Sequence, residues 1–371
     1  MLRYRVAGQR IKSSLLTHRD ERGGYFTLML YPPEELGTLR RQPLELVFVL
    51  DCSGSMSGRP IEQAKAAVRR GLRLLQQGDS FQLISFSINA SRLGRAPLEA
   101  TPENVQRGLQ YLNSLRGEGG TMMIEGIKAA LDFPHDPRRL RFVCFLTDGY
   151  IGNETEILGE IHHRLGSSRI FSFGIGSSVN RYLIDHMGKA GRGAVAYLGL
   201  KDSAEQIMED FFGRISHPAL TDLQIDWGGL QVSEVFPGTV PDMFVGRPVI
   251  LTGRFAGSAD TTIRVNGKVG EQPIQVTVPA TPTDSASHQG LPSIWARMKI
   301  AALADQSTYQ PDPDLPGQIK QVALDYSLMS AFTAFVAVDS SRRTEGSEGT
   351  TVPVAVPVPE GVKYDTTVPE R

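Results

Sequence analysis

Residues 44–58 read LELVFVLDCSGSMSG. Six of the seven positions from Leu44 to Leu50 are apolar, so both faces of an extended segment would need cover. That is the signature of a strand inside a parallel sheet with helices on either side. Asp51-Cys52-Ser53-Gly54-Ser55 follows directly, and glycines 54 and 58 let the backbone turn. A helix beginning beside Pro60 comes next, with Ile61, Ala64, Val68, Leu72 and Leu75 spaced by threes and fours.

The same alternation continues to about Ser216. SFQLISF (80–86), LRFVCFL (140–146), RIFSFGI (169–175) and AVAYLGL (194–200) read as further buried strands. Helical periods fall near 102–113, 123–132, 154–165, 180–190 and 203–216. Residues 44–216 are therefore expected to form a doubly wound, Rossmann-like α/β domain, mainly parallel, with its ligand site at the carboxyl ends of the strands. From about Leu220 to Val278 the period changes to two, as in VGRPVILTGRF and TTIRVNGKV, which predicts a smaller β-sandwich-like domain with a hairpin turn at Asn266-Gly267. Residues 279–292 read as a polar loop and helices follow near 293–306 and 317–329, completing a second domain over 217–340. Residues 1–43 contain YFTLMLYPP (25–33), whose β pattern predicts pairing with the 220–278 region, making the α/β domain an insertion. The Val- and Pro-alternating tail, 341–371, is expected to be extended or disordered.

Charge narrows the function classes. Lys plus Arg is 39 against 40 for Asp plus Glu, a formal net charge of −1, so no broad basic field exists to hold nucleic acid. No apolar run approaches the ~20 residues of a membrane-spanning helix, and the first residues lack the apolar core of a secretory leader. Only Cys52 and Cys144 are present; a disulfide framework is out, and two free thiols are expected.

Chemistry concentrates where the first strand ends. Asp51, Ser53 and Ser55 alternate along a strand-end loop, so their oxygens can face one concavity; hard oxygen donors suit magnesium or manganese. Thr121 in GEGGTMM, just before a helix, and Asp148 in FLTDG, after the fourth strand, are further candidates at carboxyl ends in the same domain.

The segments LVFVLDCSGSMSGRPIEQAK, GGTMMIEGIKAAL and FVCFLTDG resemble, in order and spacing, the three loops of the metal-ion-dependent adhesion site of von Willebrand factor type A domains. The resemblance implies Asp51, Ser53, Ser55, Thr121 and Asp148 as protein ligands of Mg2+, with Mn2+ or Ca2+ as alternatives. Ser53 and Ser55 would coordinate directly, and the other three directly or through water. GGYFTLMLYPPEE, SIWARMKIAAL and LDYSLMSAFTAFVAV are similar to segments of inter-alpha-trypsin inhibitor heavy chains and their bacterial relatives, which carry a VIT domain before the A domain. The 24 residues before Tyr25 are too few for a complete VIT domain. The resemblance implies a protein partner presenting an acidic residue, no nucleic acid, no direct membrane insertion, and an extracellular or cell-envelope setting; the cytoplasm and the oligomeric state stay open.

The expectation is a metal-dependent binding module in adhesion or complex assembly rather than an enzyme, because no positioned base, acid or nucleophile accompanies the oxygen donors. The rivals are a metal-dependent hydrolase and a domain merely stabilised by metal. Haloacid-dehalogenase phosphatases need a second Asp where Ser53 stands. Gly174 and Gly176 fail the dinucleotide fingerprint at Val179. Gly78-Asp79-Ser80 reads as a turn. His162 and His163, adjacent on a helix, diverge by ~100° and read as surface residues, and the Arg69, Arg70 and Arg138, Arg139, Arg141 clusters read as solvated faces.

Overall fold

The computed structural model describes residues 11–32, 42–149, 151–215, 220–244, 248–257, 261–269, 272–280, 288–310 and 312–335. The 341–371 tail and residues 281–287 of the 279–292 loop lie outside them.

Strands β1 (Lys12–Asp20) and β2 (Gly23–Tyr31) form an antiparallel pair before the α/β layer. β3 (Leu44–Asp51) leads through α1 (Arg59–Leu74) to β4 (Ser80–Phe86), along which the short β5 (Ala90–Arg92) and β6 (Leu98–Glu99) run antiparallel. Helices α2 (Pro102–Ser114) and α3 (Met123–Leu131) return the chain past β3 to β7 (Leu140–Thr147). The far side is built from α4 (Glu154–Arg164), β8 (Arg169–Ile175), α5 (Arg181–Ala190), β9 (Val195–Leu198) and α6 (Ala204–Ile215). The sheet order is β5-β4-β3-β7-β8-β9, with β6 on β4. Winding reverses between β3 and β7, so their carboxyl ends flank the switch-point crevice of a doubly wound sheet.

The period of two along β3 sorts its side chains between two cores. Leu44, Leu46, Phe48 and Leu50 pack with α1, α2 and α6 through residues such as Val68, Leu112 and Phe211. Val47 and Val49 pack with α3, α4 and α5 through Ile127, Ile157 and Leu183. Both faces of β3 are thus dry, as its apolar run requires.

β10 (Thr221–Asp226), β11 (Gln231–Phe236), β12 (Val249–Ala256), β13 (Thr261–Val269) and β14 (Gln272–Ala280) make the second region. β2 pairs antiparallel with β12, Leu30 opposite Val249 and Phe26 opposite Gly253, giving a sheet of order β1-β2-β12-β11. The α/β layer therefore enters the chain between strands of one sheet. This sheet packs on β10-β13-β14 through Leu28, Leu251, Ile263 and Val265. Helix α7 (Leu291–Tyr309) lays Trp295 against Tyr25, and after α8 (Leu315–Asp325) the Tyr326 hydroxyl lies 2.6 Å from that of Tyr25.

Two expectations are corrected. Asn266-Gly267 is not a turn but the interior of β13, opposite Gln275 and Ile274. Glycine is needed there because a Cβ would meet Leu220 Cγ at 2.8 Å. Arg141 is not on a solvated face: its side chain is 1% exposed, ion-paired with buried Glu45 and bonded to the Phe133 carbonyl at 2.7 Å. Arg139 is also largely covered, between Glu99 and Asp136, whereas Arg138 is solvated.

A buried ion pair ties the two regions together. Arg169 of β8 donates through Nε and Nη2 to the carboxylate of Asp242, the latter at 3.1 Å, and Nη2 lies 3.5 Å from Asp222. Asp242→Ala would strand a buried guanidinium and is expected to cost about 3–5 kcal/mol. Chemical denaturation measures it; an unchanged midpoint contradicts the clamp.

A second tie joins α5 to α7. Asp305 lies 3.5 Å from His186 Nε2 and pairs with Lys189, while His186 Nδ1 sits 2.7 Å from the Tyr182 carbonyl oxygen. The Asp305 carboxylate holds His186 above its ordinary 6.5. Burial alone would raise Asp305, yet His186 and Lys189 hold it below 3.8. A raised histidine stabilises fully below its unfolded value, and that contribution is lost as pH rises through the folded value. His186→Gln is therefore expected to lower the melting temperature more at about pH 5.5 than at about pH 8.5. An equal loss at both would show that the pair adds nothing.

Candidate functional site

β3 ends in a carboxylate that water does not reach. Asp51 is 0% exposed. Its Oδ1 accepts the Ser53 N–H at 2.8 Å and its Oδ2 the Thr147 hydroxyl at 2.6 Å. Leu50 pairs with Leu146, so Asp51 is level with Thr147, and Asp148 stands one residue beyond. Asp148 is nearly buried, and its carbonyl accepts the N–H of Asn180 at 2.9 Å. Burial pushes the Asp51 carboxyl up despite the hydrogen bonds from Ser53 and Thr147, and the like charge of Asp148 pushes it the same way.

The loop after Asp51 is a single 3-10 turn, Gly54–Met56, anchored by fully buried Met56. Ser53 is 1% exposed, with its hydroxyl 3.1 Å from that of Ser55. The loop bearing Thr121 is laced to this turn: Gly54 N–H donates to the Gly119 carbonyl at 3.0 Å and Glu118 N–H to the Cys52 carbonyl at 2.8 Å. This approach excludes a side chain at Gly117, where a Cβ would meet the Ser57 nitrogen at 2.7 Å. Half-buried Thr121 follows, held by a 2.7 Å bond from Met122 N–H to the Ser87 carbonyl.

The structure thus links Asp51, Ser53 and Ser55 directly, sets Asp148 beside Thr147, and brings the Thr121 loop against the Ser53 loop. All five groups offer oxygen, and the charge of Asp148 adds to the burial that raises the Asp51 carboxyl. That donor set fits a hard divalent cation, whose charge would favour the ionised form of Asp51. Three of the five donors are hydroxyls; among the described residues no three His, Cys, Asp or Glu side chains converge. Sequence reasoning missed Thr147, the hydroxyl that orients Asp51; the parallel register of FLTDG beside VLD is the signal that points to it. A cleft of about 940 Å³ opens between α4, α5 and α7, but neither Asp51 nor the loops just described line it.

Other candidates resolve as structure. Asp79 accepts N–H groups of Leu44 and Gln76 and pins a turn. Gly174 packs where a Cβ would meet Val179 and Tyr197 below 3 Å. His162 and His163 are exposed on α4. Cys52 and Cys144 are free and buried; burial, with the charge of Asp51 adding, pushes the Cys52 thiol up to about 12, and burial pushes Cys144 up as well, so neither is poised to react. Among the described residues no helix is long and apolar enough to cross a membrane.

Residues 44–197 match a family model described as von Willebrand factor type A domain. A von Willebrand factor A domain-containing protein of Dictyostelium discoideum is 32% identical over 204 residues, covering 55% of this chain and 22% of that protein. Inter-alpha-trypsin inhibitor heavy chain H4 of Homo sapiens is 26% identical over 340 residues, covering 84% of this chain and 36% of its own length. The chain therefore spans well under half of these relatives. A solved structure, von Willebrand factor type A from Catenulispora acidiphila, superposes with a TM-score of 0.58 at 15% identity, covering 87% of this chain and 89% of that one. The ArnB paralog VWA2 from Sulfolobus acidocaldarius gives 0.54 at 14% identity, covering 85% and 90%. Both share the fold.

Thr147→Val keeps shape and removes the bond to Asp51, together with the acceptor of the Gly149 N–H at 2.9 Å. In metal-free buffer near neutral pH it is expected to destabilise by about 1.5–3 kcal/mol, as for a lost hydrogen bond to a buried charge. Denaturant unfolding reads this directly, and a loss below about 0.5 kcal/mol would mean that the hydroxyl does not hold the carboxylate.

Proposed function

Because residues 44–197 are a von Willebrand factor type A domain, we propose that this chain is a divalent-metal-dependent protein-binding module, serving adhesion or complex assembly and not catalysis. Domains of this family commonly mediate protein–protein interaction. The observation that carries the metal dependence is the meeting of three loops at the β3/β7 switch point around buried Asp51.

Asp51, Ser53, Ser55, Thr121 and Asp148 would hold magnesium or manganese. When bound, the cation supplies an open coordination position that accepts a carboxylate from the partner. The chain's own groups prepare that position. Thr147 and the Ser53 N–H fix Asp51, so its charge cannot swing outward. Ser53 and Ser55 contribute neutral oxygens, which leave more net positive charge for an incoming anion than further carboxylates would. Gly119 and Met122 hold the Thr121 loop in place through backbone bonds, which keeps the donors preorganised. The likeness to inter-alpha-trypsin inhibitor heavy chains, and not the metal chemistry, supports an extracellular or envelope setting.

Ser53→Ala removes one oxygen at a buried position without opening the core. Calorimetric titration with magnesium or manganese is expected to show binding to the parent chain and at least a tenfold loss in the variant, with unchanged circular dichroism. Equal affinity in both would remove the site assignment.

A further inference from the structure

The cleft between α4, α5 and α7 lies at the other end of the α/β layer from Asp51. It is lined by the carboxyl-terminal turns of α4 and α5, which feed the amino ends of β8 and β9. The opposite wall comes from the second region: Phe236 and Pro237 at the end of β11, Ile250 of β12, and Met298 and Ala301 of α7. Ile250 is 50% exposed and Met298 36%, so this wall offers apolar surface that nothing in the chain covers fully. At about 940 Å³ the cleft has the size of a small-molecule site, in which an apolar lining surrounds a few placed polar groups.

The charges that face it are unevenly matched. Asp305 pairs with Lys189 and His186, and Asp242 is held by Arg169. His162 is exposed on α4. Arg192 has no carboxylate partner among the described residues. Its Nη2 donates to the carbonyl oxygens of Gly166 and, at 3.4 Å, of Ser168, and its buried Nε has no acceptor. Burial, and then the like charge of Arg169, depress its pKa against the smaller pull of Asp242 and Asp222.

The backbone singles out the same residue. Arg192 has a φ of 56°, in the left-handed region that glycine enters freely and other residues enter under strain. Its turn is pinned to β8 by the bond from Ile170 N–H to the Gly191 carbonyl at 2.9 Å. Glycine at 192 would relax this turn, yet arginine stands there. Strain and an unmatched cation coincide on the cleft wall, as they do where a ligand is gripped.

We propose that the cleft binds an amphipathic monocarboxylate, a hydrocarbon chain ending in one carboxylate, with the acid on Arg192 and the chain against Phe236, Ile250 and Met298. One unmatched cation calls for one negative charge, which favours a carboxylate over a phosphate dianion. The apolar wall calls for a hydrocarbon body. Because the ligand touches both regions, its binding stabilises their contact by mass action. The site is separate from the metal loops, and neither reading depends on the other.

The full chain is titrated calorimetrically with decanoate, decanol and decyltrimethylammonium below their micelle concentrations. Chelator is present throughout, so that no metal can hold the carboxylate. Saturable binding of decanoate is expected, with decanol about tenfold weaker or more and the cation not bound. Two variants locate the site. Arg192→Gly removes the charge and suits the turn; Ile250→Thr/Met298→Gln keeps strand and helix preference and makes the wall polar. Each is expected to keep its circular dichroism and to bind decanoate about tenfold more weakly. No saturable decanoate binding by the parent, equal affinity for decanol, or parental affinity in either variant overturns the site.

Discussion

A carboxylate fully buried at the end of the central strand is the constraint around which this molecule is organised. Asp51 leaves water at a point where both faces of β3 are already sealed by helices. Desolvating a charge costs several kcal/mol unless partners repay it. Two hydrogen bonds, from Ser53 N–H and the Thr147 hydroxyl, repay part. Asp148 next to Thr147 adds to the debt rather than reducing it. The proposed cation would offset the like charges gathered there, and the sheet's change of winding direction places that crevice between β3 and β7.

The rest of the structure ties the α/β layer down at several points. β2 and β12 pair directly although the whole α/β layer lies between them in sequence, so the layer is gripped at both ends of its chain. Arg169 and Asp242 add a buried bond from β8 to the loop before β12, and Asp305 draws α5 to α7. These ties sit away from the oxygen cluster. A partner seated at the loops would pull on a domain anchored on its other sides, an arrangement suited to assembly or adhesion.

Much of this was legible in the residues. The five parallel strands and six helices of the α/β layer announce themselves because burial on both faces enforces continuous apolar runs, and amphipathic helices enforce spacings of three and four, whereas the short antiparallel β5 and β6 carry no such run. Asp51, Ser53 and Ser55 were legible because a polar run directly after an apolar strand has to emerge at the sheet edge. Two features were not. Asn266-Gly267 carries the local preference of a turn, but packing against Leu220 and Leu223 decides in favour of strand. Arg141 resembles its exposed neighbour Arg138, and only the parallel register that sets it opposite Glu45 shows that it is buried.

The central claim is that the three loops hold a divalent cation. The most direct measurement is anomalous diffraction from crystals grown with manganese. The account predicts one strong peak within about 2–2.5 Å of oxygens from Ser53 and Ser55, with Asp51, Thr121 and Asp148 around it directly or through water. A map with no peak there at saturating manganese, or with its peak elsewhere in the chain, would contradict it.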